Sequence, residues 1–125
     1  MPDKAKLLIV DDEDTLRLLV RTELELRGYD VDDADSGETA LEKLETDHFT
    51  LVILDIRMPG IDGMQVLKRI REKNLAEKVI MLTGVDELKL ARDSLQFGAD
   101  DFLTKPYEIR TLLACIDRVL KEKTN

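Results

Sequence analysis

Three aspartates of this sequence each stand close behind a run of aliphatic residues. Asp11 and Asp12 follow the run LLIV at residues 7–10, and Asp55 follows the run TLVIL at residues 50–54. Neighbouring carboxylates repel each other, by about 4 kcal/mol at a separation of 4 Å if the effective dielectric constant is near 20. A chain that gathers such groups beside apolar segments therefore needs a positive charge to hold them together.

Two further polar groups follow apolar runs later in the chain. Thr83 and Gly84 come after VIML at residues 79–82, and Lys105 comes after FLT at residues 102–104. A divalent cation would relieve the repulsion among three carboxylates, and ligation by oxygen alone favours Mg²⁺, Mn²⁺ or Ca²⁺ over Zn²⁺. A cation, an ammonium and a hydroxyl are also the groups that stabilise the oxygens of a transferring phosphoryl group. These residue types therefore predict phosphoryl chemistry, provided that they lie in one cleft.

The apolar runs are predicted to be five β-strands. Residues 7–10, 50–54 and 79–82 are continuously apolar, as in strands that are covered on both faces. The run at 29–31 belongs to the alternating segment YDVDDA, which is typical of an edge strand, and the fifth run is at 102–104.

Five segments with the period of an amphipathic helix lie between and after these strands. Their apolar stripes are Leu16, Leu19, Val20 and Leu24; Ala40, Leu41 and Leu44; Met64, Leu67 and Ile70; Leu88, Ala91 and Leu95; and Ile109, Leu112, Leu113, Ile116, Val119 and Leu120. Gly28 and Gly98 are predicted to end the first and the fourth helix, and DSGE (35–38) predicts a capping box at the start of the second.

Alternating strands and helices predict a doubly wound α/β domain with a parallel sheet. Ligands of such sheets bind at the carboxyl ends of the strands. The listed polar residues all follow strands, so we expect their side chains to converge at one edge of the sheet. The acids that follow LLIV are therefore interpreted as ligands of a metal ion held at that edge.

Composition excludes several other classes of protein. The net charge is −8, from 19 basic and 27 acidic residues, which argues against non-specific nucleic-acid binding. One cysteine (Cys115) and one histidine (His48) cannot build a Cys/His zinc site, and no histidine accompanies a serine nucleophile motif. His48 is expected in a loop and Cys115 as a packing residue of the fifth helix.

The longest apolar runs have four or five residues, whereas a membrane helix needs about 20. Neither nucleic acid nor a membrane is an expected partner, and the lone cysteine favours the cytoplasm.

Four segments together resemble the receiver domain of bacterial two-component response regulators, including the chemotaxis regulators. They are LLIVDDED (7–14), ILDIRMPGIDGMQVL (53–67), VIMLTG (79–84) and GADDFLTKPY (98–107). The resemblance covers essentially the whole chain, so residues 1–125 are expected to form one receiver domain without an output domain. It implies a flavodoxin-like parallel sheet in the order 2-1-3-4-5 with five helices. The chain would be a stand-alone receiver or a piece of a longer regulator.

The resemblance implies that Asp55 is the phosphoacceptor. Its carboxylate would take a phosphoryl group from a phosphohistidine of a sensor kinase or of a histidine phosphotransfer protein. Asp12 and Asp55 would bind Mg²⁺ directly, Asp11 through water, and Arg57 through its backbone carbonyl.

The resemblance also assigns the groups around the phosphoryl oxygens. Lys105 would pair with the phosphoryl group and Thr83 would donate its hydroxyl, together with the backbone N–H groups of Ile56 and Gly84. The Lys105–Pro106 peptide bond is expected to be cis, which X-Pro bonds reach at modest cost.

Thr83 and Phe102 would form the switch. Thr83 would swing towards the phosphoryl group and Phe102 would turn inward, which would change the surface formed by helix 4, strand 5 and helix 5. Arg57 and Val85 are expected to slow hydrolysis of the acyl phosphate. A dimer on phosphorylation is a further expectation: Asp100 and Asp101 suit such an interface, although Arg110 and Arg118 do not clearly match them.

Three alternative functions remain at this point. They are a constitutive protein-binding module of receiver fold, a small metal-dependent phosphohydrolase with an aspartate nucleophile, and a Ca²⁺ buffer. A phosphohydrolase usually needs a cap domain, for which 125 residues leave no room. The expected protein is therefore not an enzyme in the ordinary sense: it catalyses only its own phosphorylation and dephosphorylation, and its downstream partner is a protein target or a fused output domain.

Overall fold

Strands and helices alternate along residues 5–122, the part of the chain that the computed structural model describes. The first four and last three residues of the predicted domain 1–125 lie outside this range. The elements are β1 (Lys6–Val10), α1 (Asp14–Leu26), β2 (Asp30–Ala34), α2 (Gly37–Thr46), β3 (Phe49–Asp55), α3 (Gly63–Lys73), β4 (Ala76–Thr83), α4 (Leu88–Gln96), β5 (Asp101–Thr104) and α5 (Ile109–Lys121). A single 3₁₀ turn at Val85–Glu87 joins β4 to α4 and was not expected from the sequence.

The five strands form one parallel sheet in the order β2-β1-β3-β4-β5. This order confirms the predicted flavodoxin-like α/β architecture. β3 lies at the centre, and six of its seven residues are buried. A side chain at the carboxyl end of β3 therefore projects from the buried centre of the sheet.

Successive residues of the central strands pack on opposite faces of the sheet. Leu8 and Val10 of β1 belong to an apolar cluster that also contains buried residues of α2, α3 and α4. Leu7 and Ile9 belong to a second cluster, which is completed by α1 and α5. Each fully buried aliphatic side chain contributes about 1.5–3 kcal/mol. The continuously apolar runs of the sequence are thus explained by a sheet that is covered on both faces.

β2 is the edge strand that its alternating sequence predicts. Val31 and Ala34 are buried, whereas its aspartates are exposed or half-buried. Asp32 accepts a hydrogen bond from Lys43 Nζ at 2.8 Å, and Asp33 accepts one from Arg21 Nη1 at 2.6 Å. Asp32 and Asp33 are therefore paired with bases of the neighbouring helices.

Two predicted helix stripes are partly wrong. Leu19 of α1 is 51% exposed, and Leu88 and Leu95 of α4 are 39% and 43% exposed. The inward face of α4 consists instead of the small residues Ala91 and Ser94. The Ser94 hydroxyl donates to the carbonyl of Ala91, so that it is satisfied within the helix and can be buried.

The helix ends also differ in part from the predictions. α2 begins after Ser36, whose hydroxyl accepts from the Thr39 N–H at 3.1 Å, so the capping box predicted at residues 35–38 is wrong. A capping box occurs instead at the start of α3, between Asp62 and Gln65. Gly28 and Gly98 follow α1 and α4 with φ of +93° and +103°, a backbone conformation that glycine adopts without strain.

His48 and Cys115 occupy the places expected of them. His48 is exposed between α2 and β3, with Nε2 3.1 Å from Glu77 Oε2. Cys115 is buried in α5, and burial raises the pKa of its thiol to about 11 with help from the charge of Asp101. Within residues 5–122, no helix combines the length and the apolar character needed to cross a membrane.

Candidate functional site

The ends of β1 and β3 bring three carboxylates together. Asp11 and Asp12 follow β1, and Asp55 is the last residue of β3. One carboxylate oxygen from each residue lies within 4.8 Å of the others. Asp11 and Asp55 are buried, whereas Asp12 is exposed. The cluster thus has a buried floor and an open rim, and its donors are all oxygens, the ligands that Mg²⁺ prefers.

Lys105 reaches the same cluster from the loop after β5. Its Nζ lies 2.9 Å from Asp55 Oδ2 and 3.1 Å from Asp11 Oδ2, and 3.6 Å from Glu13 Oε1. The Lys105–Pro106 peptide bond is cis, as the resemblance implied. The Lys105 ammonium thus faces three carboxylates, and among these side chains negative charge exceeds positive charge.

The electrostatics of Asp55 and Lys105 reflect this excess. Burial raises the pKa of Asp55 from its ordinary value of 3.8 to about 6; Lys105 opposes the shift, while the charges of Asp11 and Asp12 add to it. Burial alone would lower the pKa of Lys105, but its hydrogen bond and ion pair with Asp55, followed by the charge of Asp11, raise it. Lys105 therefore stays protonated. Its single positive charge is shared between Asp55 and Asp11, so it does not neutralise the negative charge of the cluster. A divalent cation would supply the missing positive charge.

Thr83 and Gly84 lie at the end of β4, but their donor groups are already bonded. Thr83 is fully buried, and its hydroxyl donates to the backbone carbonyls of Gly84 at 3.1 Å and Glu87 at 3.4 Å. The N–H of Gly84 donates to Glu87 Oε1 at 2.9 Å. Both groups therefore face the 3₁₀ turn rather than the carboxylates.

The backbone N–H of Ile56 is also bonded elsewhere. It donates to the carbonyl of Leu82 at 2.9 Å and so continues the hydrogen bonding between β3 and β4. The predicted role of the Ile56 N–H towards a phosphoryl group would therefore require that this bond be exchanged, as for Thr83 and Gly84.

Two residues beside the cluster were not singled out from the sequence. Glu87 is a buried carboxylate in contact with the Arg57 guanidinium, whose side chain extends into solvent. The Tyr107 hydroxyl is buried without a hydrogen-bond partner in the described part of the chain, and burial followed by the charge of Asp11 raises the pKa of Tyr107 to about 12. The sequence held one signal for Glu87. It lies four residues before Ala91, which belongs to the apolar stripe predicted for the fourth helix, and residues four apart lie on the same face of a helix.

The predicted switch and dimer residues occupy the side of the sheet around β5. Phe102 is half-buried and packs against the cluster that contains Ala91 and Met81. Asp100 points inward, where its Oδ2 accepts from the Val79 N–H at 2.8 Å and from Arg71 Nη2 at 3.1 Å. Asp101 contacts Arg118 within the same chain. Asp100 is thus engaged inside the fold, and Asp101 already has the basic partner that the sequence did not match to it.

Both the sequence and the fold are similar to those of known proteins. Residues 7–117 match the response regulator receiver domain family. The alkaline phosphatase synthesis transcriptional regulatory protein PhoP of Bacillus subtilis is 40% identical over 116 residues, which are 93% of this chain and 48% of PhoP. The regulatory protein AtoC of Escherichia coli is 36% identical over 93% of this chain and 25% of its own length.

Solved structures show the same fold. A CheY-like receiver domain protein from Methanospirillum hungatei superimposes with a TM-score of 0.89 at 33% identity, over 94% of both chains. The chemotaxis protein CheY4 of Vibrio cholerae gives a TM-score of 0.85 at 32% identity, over 94% of this chain and 99% of that one. The chain spans about half the length of PhoP but nearly all of these compact receivers.

Proposed function

The chain belongs to the response regulator receiver family, and we propose that Asp55 is the residue through which it is switched on by phosphorylation. The observation that carries the proposal is the contact of Lys105 Nζ with Asp55 Oδ2 at 2.9 Å, inside a cluster of three carboxylates. The phosphoryl donor would be a phosphohistidine of a sensor kinase or of a phosphotransfer protein. The readout would be a protein target or a fused output domain.

Residues of this chain would hold Mg²⁺ at the open rim of the cluster. Asp12 and Asp55 would be direct ligands, Asp11 would bind through water, and the Arg57 carbonyl would complete the protein ligands. The oxygen-only donor set and the unbalanced negative charge support this assignment. When bound, Mg²⁺ would neutralise charge on Asp55 and on the incoming phosphoryl oxygens.

Asp55 would act as the nucleophile. One carboxylate oxygen would form a bond to phosphorus, the P–N bond to the donor histidine would break, and its electron pair would return to the imidazole nitrogen. Lys105 would move its hydrogen bond from Asp55 to a phosphoryl oxygen, so that the same ammonium balances charge before and after transfer. The central, enclosed position of β3 supports this role because it fixes the carboxylate against the edge of the sheet.

Thr83 would then exchange its bonds to the 3₁₀ turn for a bond to the phosphoryl group, and Phe102 would move inward behind it. The half-buried position of Phe102 between β4 and α4 supports such a movement. Arg57 and Val85 stand exposed beside the cleft and would hinder the approach of water to the acyl phosphate.

Intact-mass measurement after incubation with acetyl phosphate and Mg²⁺ tests the proposal. We expect a gain of one phosphate in the wild type, no gain in Asp55→Asn, and loss of the gain with a chelator. Asp117→Asn, which removes an exposed aspartate of α5, should gain one phosphate like the wild type. Absence of any gain in the wild type would leave the constitutive binding module as the better reading, and steady turnover of a phosphate ester would favour the phosphohydrolase.

A further inference from the structure

The 3₁₀ turn at Val85–Glu87 holds both donor groups that the proposed phosphoryl site needs at β4. The Gly84 N–H is bonded to a side-chain oxygen of Glu87, and the Thr83 hydroxyl is bonded to the backbone carbonyls of Gly84 and Glu87. A phosphoryl group on Asp55 could gain these donors only if the turn released them.

Glu87 is held in this position from two sides. Its Oε1 accepts from the Gly84 N–H at 2.9 Å, and its Oε2 contacts Nε of Arg57. The residue is only 6% exposed, so the carboxylate depends on these two partners in place of water. The arrangement is that of a bound anion, with a backbone N–H on one oxygen and a guanidinium on the other.

Gly84 allows the Glu87 carboxylate to come this close. A Cβ at residue 84 would lie 3.2 Å from Glu87 Oε1 and 2.9 Å from Asp86 Oδ1. The backbone of Gly84 has φ −78° and ψ 162°, which any residue can adopt. The backbone conformation would suit any residue, so the role of glycine at this position is to leave room for the ends of the two side chains.

We propose that the Glu87 carboxylate is an internal anion that occupies part of the phosphoryl site. The inference rests on the proposed function, in which the phosphoryl group uses the Gly84 N–H. Phosphorylation of Asp55 then displaces the Glu87 carboxylate from the Gly84 N–H, because two anions cannot share one donor without repulsion. Wild-type affinity for a phosphoryl group is lowered by the free energy needed for this displacement.

The displacement would also act on α4. Glu87 is the residue immediately before Leu88, with which α4 begins. When its carboxylate leaves Gly84, the last residue of the 3₁₀ turn loses its side-chain bond to the end of β4 and keeps only the backbone bonds of Glu87 with Gly84 and Thr83. Occupation of the site is therefore linked to the start of α4 through Glu87, in addition to the proposed movement of Thr83 and Phe102.

Beryllofluoride, which combines with an aspartate to mimic a phosphoryl group, is a suitable probe when titrated calorimetrically in excess Mg²⁺. A hydrogen bond to a charged group contributes enough free energy that its loss from the competing state should tighten binding about tenfold. We expect tighter binding by Glu87→Gln, whose amide accepts more weakly than a carboxylate, and the largest gain for Glu87→Ala. Circular dichroism establishes that each variant is folded, and if Glu87→Ala is not, Glu87→Gln decides.

Asp86→Asn is the matched control. It removes the same charge one residue earlier, from an exposed side chain that does not bond to the Gly84 N–H. Glu87→Gln should bind beryllofluoride several times more tightly than Asp86→Asn, while the two variants bind Mg²⁺ alone with similar affinity. In addition, the Gly84 amide resonance of free Glu87→Gln should lie between those of the free and the beryllofluoride-bound wild type.

Equal or weaker binding of beryllofluoride by Glu87→Gln relative to Asp86→Asn would overturn the inference and would assign Glu87 a purely structural role in the turn. Failure of the proposed function looks different. In that case the wild type itself binds no beryllofluoride and gains no phosphate at Asp55.

Discussion

The backbone carbonyl of Asp55 packs against the Cα of Gly63, the first residue of α3. A Cβ at residue 63 would overlap that carbonyl oxygen and would lie 2.8 Å from the Cα of Ile56. The N–H of Gly63 also donates to the carbonyl of Ile56 at 2.8 Å. The start of α3 is therefore fixed directly to the backbone that carries the proposed phosphoacceptor.

Gly63→Ala should destabilise the protein by about 1–3 kcal/mol, because the atoms in the way are backbone atoms that cannot rotate aside. Urea denaturation measures this change. Gly84→Ala is the control, since only the ends of the Asp86 and Glu87 side chains lie near its added Cβ. It should stay within about 1 kcal/mol of the wild type. Equal stability of Gly63→Ala and the wild type would contradict the close packing.

Without metal, Asp55 should make the stability of the protein depend on pH. Folding raises its pKa from 3.8 to about 6, so the folded state binds this proton more tightly than the unfolded state. The favourable contribution of the protonated group is present below pH 3.8 and is lost as pH rises through about 6. Asp55→Asn should therefore be more stable than the wild type at pH 7.5 in a chelator, by about 1–3 kcal/mol.

This difference should shrink towards zero when thermal unfolding is repeated near pH 4. Asp117→Asn, an exposed substitution, should show no such change with pH. A constant difference between Asp55→Asn and the wild type at all pH values would show that the carboxylate is not destabilised by its surroundings.

Mg²⁺ should stabilise the folded protein, because its proposed ligands come together only in the fold. At a concentration about 100 times its dissociation constant, a ligand of the folded state adds about 2.7 kcal/mol to the free energy of unfolding. We expect a higher melting temperature in MgCl₂ than in NaCl of equal ionic strength, and a smaller gain for Asp12→Asn. Equal melting temperatures in the two salts would contradict the proposed site.

The movement of Phe102 can be followed by fluorescence, because the sequence contains no tryptophan. Phe102→Trp should shift its emission to shorter wavelength when Mg²⁺ and beryllofluoride are added, since the ring would leave a half-buried position for an enclosed one. Phe97→Trp is the control: residue 97 follows α4 and is 48% exposed. The same Phe102 rotamer in crystals with and without beryllofluoride would contradict the switch.

Asp100 and Asp101 should differ sharply in their effect on stability. Asp100→Ala leaves the Val79 N–H without its side-chain acceptor and removes one of several acceptors of the Arg71 guanidinium, and should cost about 1–3 kcal/mol. Asp101→Ala removes a half-exposed ion pair with Arg118, together with acceptors for the neighbouring Phe102 N–H and the Cys115 thiol, and should cost less than Asp100→Ala. Urea denaturation compares the two, and equal costs would contradict the inward role of Asp100.

The sequence predicts the sheet and the meeting of its strand ends because both follow from strong, simple patterns. Continuous aliphatic runs require cover on both faces, and right-handed crossovers then place the carboxyl ends of the strands together. Asp11, Asp55 and Lys105 lie at those ends and are brought into contact by the topology alone. Only the identity of the chemistry had to come from residue types.

The orientation of α4 could not be predicted in the same way. Its leucines define an apolar stripe, yet the helix presents Ala91 and Ser94 to the sheet and leaves Leu88 and Leu95 partly exposed. A hydrophobic pattern cannot distinguish a leucine in a core from one on a partly exposed face. The contact of Glu87 with Arg57 joins residues 30 positions apart, so it had no signature in the local sequence.

The acids of β2 have a consequence for how copies of this chain meet. A free strand edge invites another polypeptide to extend the sheet, and charged side chains along an edge discourage such aggregation. β2 carries Asp30, Asp32 and Asp33 along one border of the sheet, and the opposite border is the four-residue strand β5. We therefore expect self-association, where it occurs, to use helix and loop side chains and to leave the five-stranded ladder unextended.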